Sequence, residues 1–205
     1  MRAVIRAFAL LLLAVLVTGA GLAVYVVRQG VSARGQPGAI ETFLARNVRK
    51  LAIERRARAL RNPVPLAGQS LATGREHFAD HCAVCHANDG SGATEMGRGL
   101  WPKAPDMRRA ETQDLSDGEL FYIIENGVRL TGMPAWGTGT PEGEEASWQL
   151  VHFIRHLPTI TPEEVADMEK LNPKSAGQWR EEAEIEAFLA GGEPRPEPAQ
   201  TQHQH

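Results

Sequence analysis

The stretch His81-Cys82-Ala83-Val84-Cys85-His86 contains the only two cysteines in a chain of 205 residues. They stand three positions apart, with histidine on both sides. Upstream, Ser70 to Ala79 reads as a helix leading into the cysteines. Downstream, Asn88-Asp-Gly-Ser-Gly92 reads as a turn.

A C-x-x-C pair serves three chemistries. It cycles between dithiol and disulfide in thioredoxin-like proteins. It supplies half of a tetrahedral zinc site. With histidine directly behind it, it anchors a c-type haem, both sulfurs bonded to the vinyl groups and the imidazole on the iron. Zinc needs two more ligands, and no second C-x-x-C or H-x-x-x-H cluster follows at finger spacing. A redox pair sits where a strand meets a helix, and no segment here shows sustained period-two alternation. A structural disulfide closing two intervening residues constrains the unfolded chain little.

A haem iron with six ligands needs a second axial donor, and methionine is the soft donor that raises the potential. Met96, Met107, Met133 and Met168 follow the motif. Met133 sits in Gly127-Val-Arg-Leu-Thr-Gly-Met-Pro-Ala-Trp-Gly137, flexible glycine backbone before it and a stiffening proline after it. It lies 47 residues beyond His86, enough chain to reach the opposite face of the ring. Met96 is only ten residues on, and Met168 is expected outside the folded unit. A lone methionine is ordinarily core filler; the loop chemistry makes Met133 the exception.

The charge is unevenly placed. Residues 28–62 hold nine Lys/Arg against two Asp/Glu, residues 63–157 hold seven against thirteen, and residues 158–205 hold four against ten. A basic neck beneath an acidic head does not suggest a nucleic-acid partner. From Ala7 to Val27 the chain runs 21 residues without a charge, preceded by Arg2 and Arg6. As a helix it spans about 30 Å, one hydrocarbon core. A cleaved signal peptide is the competing reading, but apolar residues continue past a usual signal core.

Residues 39–61 look helical, with Ile40, Phe43, Leu44, Val48, Leu51 and Ile53 roughly on one side. That helix is either a basic amphipathic element on anionic lipid or a solvated spacer. Asn62-Pro-Val-Pro65 breaks it. Ser116-x-x-Glu119 is a capping box for a helix through Ile124 that Gly127 can end. Glu144 to His156 is a helix offering Val151, Phe153, Ile154 and Leu157 for burial, stopped by Pro158. Thr161-Pro-Glu-Glu164 and Ser175-x-x-Gln178 are further helix starts, the second running to Ala190 and ended by Gly191-Gly192. The tail after them is polar and proline-rich and is expected to be disordered.

Together, "GREHFADHCAVCHANDGSG", "APDM", "ENGVRLTGMPAW" and "WQLVHFIRHLP" resemble a class I c-type cytochrome over roughly residues 68–158. The resemblance implies one covalent haem c, with Cys82 and Cys85 as the thioethers and His86 and Met133 as axial ligands. It implies that the Pro105 carbonyl accepts a bond from the proximal imidazole, fixing the ring. It puts Gly74 and Phe78 where the last helix crosses, with Trp148 and Phe153 packing there, since only glycine admits so close an approach. Against the same pattern His152 and His156 fall on the solvent face. Those two, and His77 with His81, are metal-capable only by their spacing of four. His203-Gln-His205 reads as an incidental polar terminus.

The expected architecture is all-α. It comprises an anchor (1–27), a basic juxtamembrane helix and linker (28–65), a cytochrome domain (66–160), an acidic helical extension (161–191) and a disordered tail (192–205). The basic flank and the extension have no counterpart in the family pattern. The positive-inside rule disfavours export of the neck, whereas the family attaches haem outside the cytoplasm. The expectation is a single-pass inner-membrane protein with its haem domain in the periplasm. It would be an electron carrier and not an enzyme, working between a quinol-oxidising complex and a terminal oxidase or reductase. A dedicated haem subunit of a dehydrogenase or reductase, and a haem-based gas sensor, are the alternatives.

Overall fold

A computed structural model describes residues 1–29, 32–33, 35–174 and 176–191. Ser175 and the tail 192–205, with His203 and His205, lie outside the described residues. Eleven α-helices occur among those described: α1 (Arg2–Gln29), α2 (Ala39–Ala52), α3 (Arg55–Ala59), α4 (Gly68–His77), α5 (Ala83–His86), α6 (Glu95–Gly99), α7 (Ala110–Gln113), α8 (Asp117–Asn126), α9 (Pro141–His156), α10 (Pro162–Glu169) and α11 (Ala176–Leu189). A π-helical turn, Phe78–Cys82, joins α4 to α5, and a 3-10 turn, Leu157–Thr159, follows α9. No strand occurs among the described residues, so the fold is all-α as the absence of period-two patterning predicts.

The crossing of α4 and α9 organises the core. A Cβ on Gly74 would overlap the Gln149 carbonyl, so the two backbones touch and only hydrogen fits between them. One turn on, Phe78 and Phe153, both without exposed surface, meet at 5.1 Å between centroids. Trp148 of α9 stacks on Phe121 of α8 at 4.1 Å with planes 6° apart. Val151, Ile154 and Leu157 complete the apolar stripe of α9. Thr140 caps α9, which starts at Pro141, three residues before the apolar pattern becomes visible. Ser116 and Glu119 form the reciprocal box that opens α8. Arg155 then ties the turn between α7 and α8 to α9, donating to the Gln113 carbonyl at 2.6 Å, to Asp117 Oδ1 at 2.8 Å and to the Leu115 carbonyl.

Three sequence expectations need correction. Residues 39–61 are not one helix: α2 ends at Ala52, because Ile53 turns inward in an extended conformation and is 3% exposed. Ala57 of α3 is also buried, and its carbonyl occupies the space a Cβ on Gly118 would need. Met168 is not outside the folded unit. It is fully buried in the same apolar cluster as Phe78 and Phe153, because the chain reverses after Pro158 and lays α10 on the core. Neither His152 nor His156 is on a free solvent face: the segment before α4 covers the first, and the reversal into α10 covers the second. His152 Nε2 lies 2.7 Å from the Val64 carbonyl oxygen, and His156 Nε2 lies 2.8 Å from Glu164 Oε1.

α1 is the single described helix long and apolar enough to cross a membrane, and its side chains from Arg2 to Arg28 are exposed.

Candidate functional site

Cys82, Cys85 and His86 sit where α4 gives way to the π-turn and α5. A π-turn widens the helix by one residue per turn and occurs most often at functional sites. Here it delivers Cys82 at its last position, packed against the core, with Cys85 and His86 on the next turn. Ala87 ends α5 with φ of 60°, a left-handed conformation unusual for a residue with a Cβ. The loop that follows hooks back onto the freed carbonyls: Gly92 N–H donates to the His86 oxygen at 2.8 Å, and Thr94 Oγ1 donates to the Cys85 oxygen at 3.2 Å. Gly92, at φ of 71°, lets the Ala104–Pro105 backbone pass so close that a Cβ would overlap the Ala104 carbonyl. Met107 N–H donates to the Gly90 oxygen at 2.8 Å and fixes that strand of chain beside the motif.

The electrostatics suit neutral ligands. His86 is 7% exposed. Burial pushes its imidazole down to about 4, against a smaller upward pull from the Pro105 backbone. Its Nδ1 is sealed from solvent without a hydrogen bond of good geometry. The two facts together put the Pro105 carbonyl beside the ring but off the hydrogen-bond line. Burial, with Cys85 adding to it, pushes the Cys82 thiol up to about 12, and burial also raises Cys85. Redox-active C-x-x-C thiols are shifted the other way, toward thiolate. Among the described residues, no group of three or more His, Cys, Asp or Glu side chains is arranged to hold a metal ion.

Met133 lies on the loop between α8 and α9, half-buried. The loop closes on itself: Val128 N–H donates to the Met133 oxygen at 3.1 Å, and Met133 N–H donates to Thr131 Oγ1 at 3.1 Å. Trp136 and Gly137 N–H groups donate to the Ile124 and Glu125 carbonyls at 3.0 and 3.1 Å, pinning the loop to the end of α8. Gly127, at φ of 64°, leaves room for the Pro134–Ala135 backbone to run against it. The loop is then carried to the cysteine motif by Trp136, whose ring stands edge-on to His81 at 5.3 Å, and His81 in turn meets His77 at 4.8 Å. Trp136 and His81 therefore join the two segments holding Cys82, His86 and Met133. The sequence quotes both residues inside motifs but gives neither a role, since a ring contact across 55 positions leaves no local signal.

The other methionines are accounted for. Met107 and Met168 are core, and Met96 is 54% exposed on a short helix. An open groove lined by Arg58, Asn62, Pro65, Ser116, Asp117 and Arg155 shares no residue with the motif. Its Arg155 and Asp117 are already paired, so it is the seam between the 53–66 segment and α8–α9.

A thiol packed against the core with a second on the next turn, a buried neutral imidazole directly behind them, and a loop-borne thioether fit a covalently held haem better than zinc or thiol exchange. Residues 69–154 match the family model described as cytochrome C oxidase, cbb3-type, subunit III. No curated protein matches the chain. The matched span runs from α4 into the last turns of α9, and so covers both the C-x-x-C-H turn and the Met133 loop. Residues 69–154 of this chain are a c-type cytochrome domain, a haem c protein module for electron transfer.

Proposed function

We propose that this chain is a membrane-tethered, single-haem electron carrier, with Cys82 and Cys85 as the covalent attachment points and His86 and Met133 as the axial pair. When bound, haem c supplies a one-electron Fe(III)/Fe(II) couple. The chain's own part is to hold two neutral ligands unchanged in both states and to keep water from the pocket through Phe78, Phe153 and their neighbours. The observation that carries this reading is the Trp136–His81 contact, which brings the Met133 loop to the cysteine turn. α1 would tether the head to the inner membrane with the haem domain in the periplasm. There it would pass electrons from a quinol-oxidising complex to a terminal oxidase or reductase. Confinement to the membrane surface raises its effective concentration near such partners.

A second reading is that the chain is a fixed haem subunit of an oxidase complex. The description of the matched family favours it. Co-purification of a stoichiometric partner from mild detergent separates a fixed subunit from a free shuttle.

The test of the ligand set is an absorption spectrum of the matured protein. The weak long-wavelength band of methionine-ligated ferric haem should be present in the wild type and absent in Met133→Ala. A wild type that carries haem but lacks the band, and binds carbon monoxide rapidly when reduced, would show that Met133 is not the ligand.

A further inference from the structure

α2 is amphipathic the wrong way round for a soluble protein. At 100° per residue, Ile40, Leu44, Val48 and Leu51 share one arc, with Phe43 at its edge. All five are between 55% and 83% exposed. The opposite arc, with Thr42 and Arg49, is half-buried against the cytochrome head. Polar contacts tie the helix to the head: Arg46 Nη2, on the polar side, reaches Glu111 Oε1 at 3.4 Å, and Glu41 Oε1, at the border of the apolar arc beside Val48, accepts from Trp101 Nε1 at 2.9 Å. Asn47, the one polar residue within the apolar arc, turns its amide back to donate to the Phe43 carbonyl at 2.7 Å. The helix thus gives its polar side to protein and its apolar side to whatever lies outside.

Position and charge say what lies outside. Nine residues separate Gln29, the end of α1, from Ala39, so α2 begins within about 35 Å of the point where a spanning α1 leaves the bilayer. Arg46 and Lys50 lie on α2 toward the Phe43 edge of that arc, and Arg55, Arg56, Arg58 and Arg61 follow the helix. An apolar face bordered by cations is the pattern that seats a helix at the boundary of headgroups and acyl chains of anionic lipid. We infer that α2 lies in the membrane interface with Ile40, Leu44, Val48 and Leu51 in the acyl region, and that it sets the tilt of the cytochrome head. The tilt reaches the site: Trp101, held by Glu41, follows Leu100, whose side chain packs against Gly132 next to Met133. The inference rests on α1 spanning the membrane, and the experiment separates the two.

The matured full-length protein, haem reduced, is reconstituted in phosphatidylcholine bilayers with and without phosphatidylglycerol. A nitroxide is placed on Leu44→Cys, Val48→Cys or Ala45→Cys. All three positions are exposed, so the fold should tolerate them. At positions 44 and 48 collisions with oxygen should exceed those with an aqueous nickel chelate several-fold, more so with phosphatidylglycerol. At position 45, outside the apolar arc, the ratio should reverse. Nickel access at 44 and 48 in protein that resists alkaline carbonate extraction would overturn the inference and leave the anchor standing. Shielding of 44 and 48 from both reagents, equal in both lipids, would also overturn it. The face would then be covered by protein, such as acidic α11, which exposes Trp179 and Phe188, or a second copy. Protein released by carbonate would overturn the anchor and the inference together.

Discussion

Gly74 is where a single hydrogen decides the packing. Alanine is the better helix former by about 1 kcal/mol, so in an open helix Gly74→Ala would stabilise. Here the added methyl would overlap the Gln149 carbonyl, and backbone cannot swing aside as a side chain can. Separating α4 from α9 by even a few tenths of an ångström loosens Phe78 against Phe153. The expected result is a loss of about 1–3 kcal/mol in chemical denaturation of the haem-loaded protein; a more stable variant would mean that the crossing is looser than described. The close crossing at Gly74 was legible in the sequence because its meaning travels with a motif. Cys82, Cys85 and His86 are marked by their motif and Met133 by its loop, and their roles at the haem are the proposal made above. The strained Ala87 was not legible, since nothing around it in the sequence marks a left-handed position. Trp136 on His81 was hidden for another reason: the two meet only after α8 and the Met133 loop have folded.

α10 shows what an element reveals before and after folding. Its start is plain from Thr161-Pro-Glu-Glu164, and the structure forms both bonds of the box. Its attachment is not plain, because Val165, Met168 and Leu171 at spacings of three make a stripe too short to say what it covers. Yet Met168 has no exposed surface and shares the core of α4 and α9. Met168→Ala should cost about 2–5 kcal/mol and lower the unfolding midpoint of the whole domain. A change below about 0.5 kcal/mol, ordinary for surface positions, would mean that α10 is only draped on the surface.

α10 also carries a pH signature. Burial opposes ionisation of Glu164, but the Thr161 N–H and the His156 hydrogen bond outweigh it and hold the carboxyl below its usual 4.5. A depressed carboxylate stabilises fully above its unfolded pKa, and that contribution fades as pH falls through the folded value. Thermal stability should therefore drop on acidification below about pH 4.5, and less steeply in Glu164→Gln. Parallel wild-type and mutant profiles would show that the box does not feel the charge.

At the scale of the molecule, two kinds of attachment join the basic neck to the acidic head. The 53–62 strap is held by burial: Ile53 and Ala57 are inside, Ser116 Oγ donates to the Arg58 carbonyl at 3.1 Å, and Asn62 Nδ2 donates to the Trp148 carbonyl at 2.8 Å. α2 is held by exposed polar contacts, and the Arg46–Glu111 pair is half-exposed on both sides. Exposed pairs contribute about 0–1 kcal/mol and weaken with salt, whereas a buried isoleucine truncated to alanine costs about 2–5 kcal/mol. Charge counts along the sequence show the neck and head, but a continuous run of arginines hides this division, because only burial of Ile53 separates α2 from the strap. In hydrogen exchange on the reconstituted full chain, Arg46→Ala should speed exchange across residues 39–52 and leave 53–59 protected, with the head's unfolding midpoint nearly unchanged. Ile53→Ala should release both segments and lower that midpoint. If Arg46→Ala exposed 53–59 as well, neck and head would be one cooperative unit, and the tilt of the head would be set by the strap and not by α2.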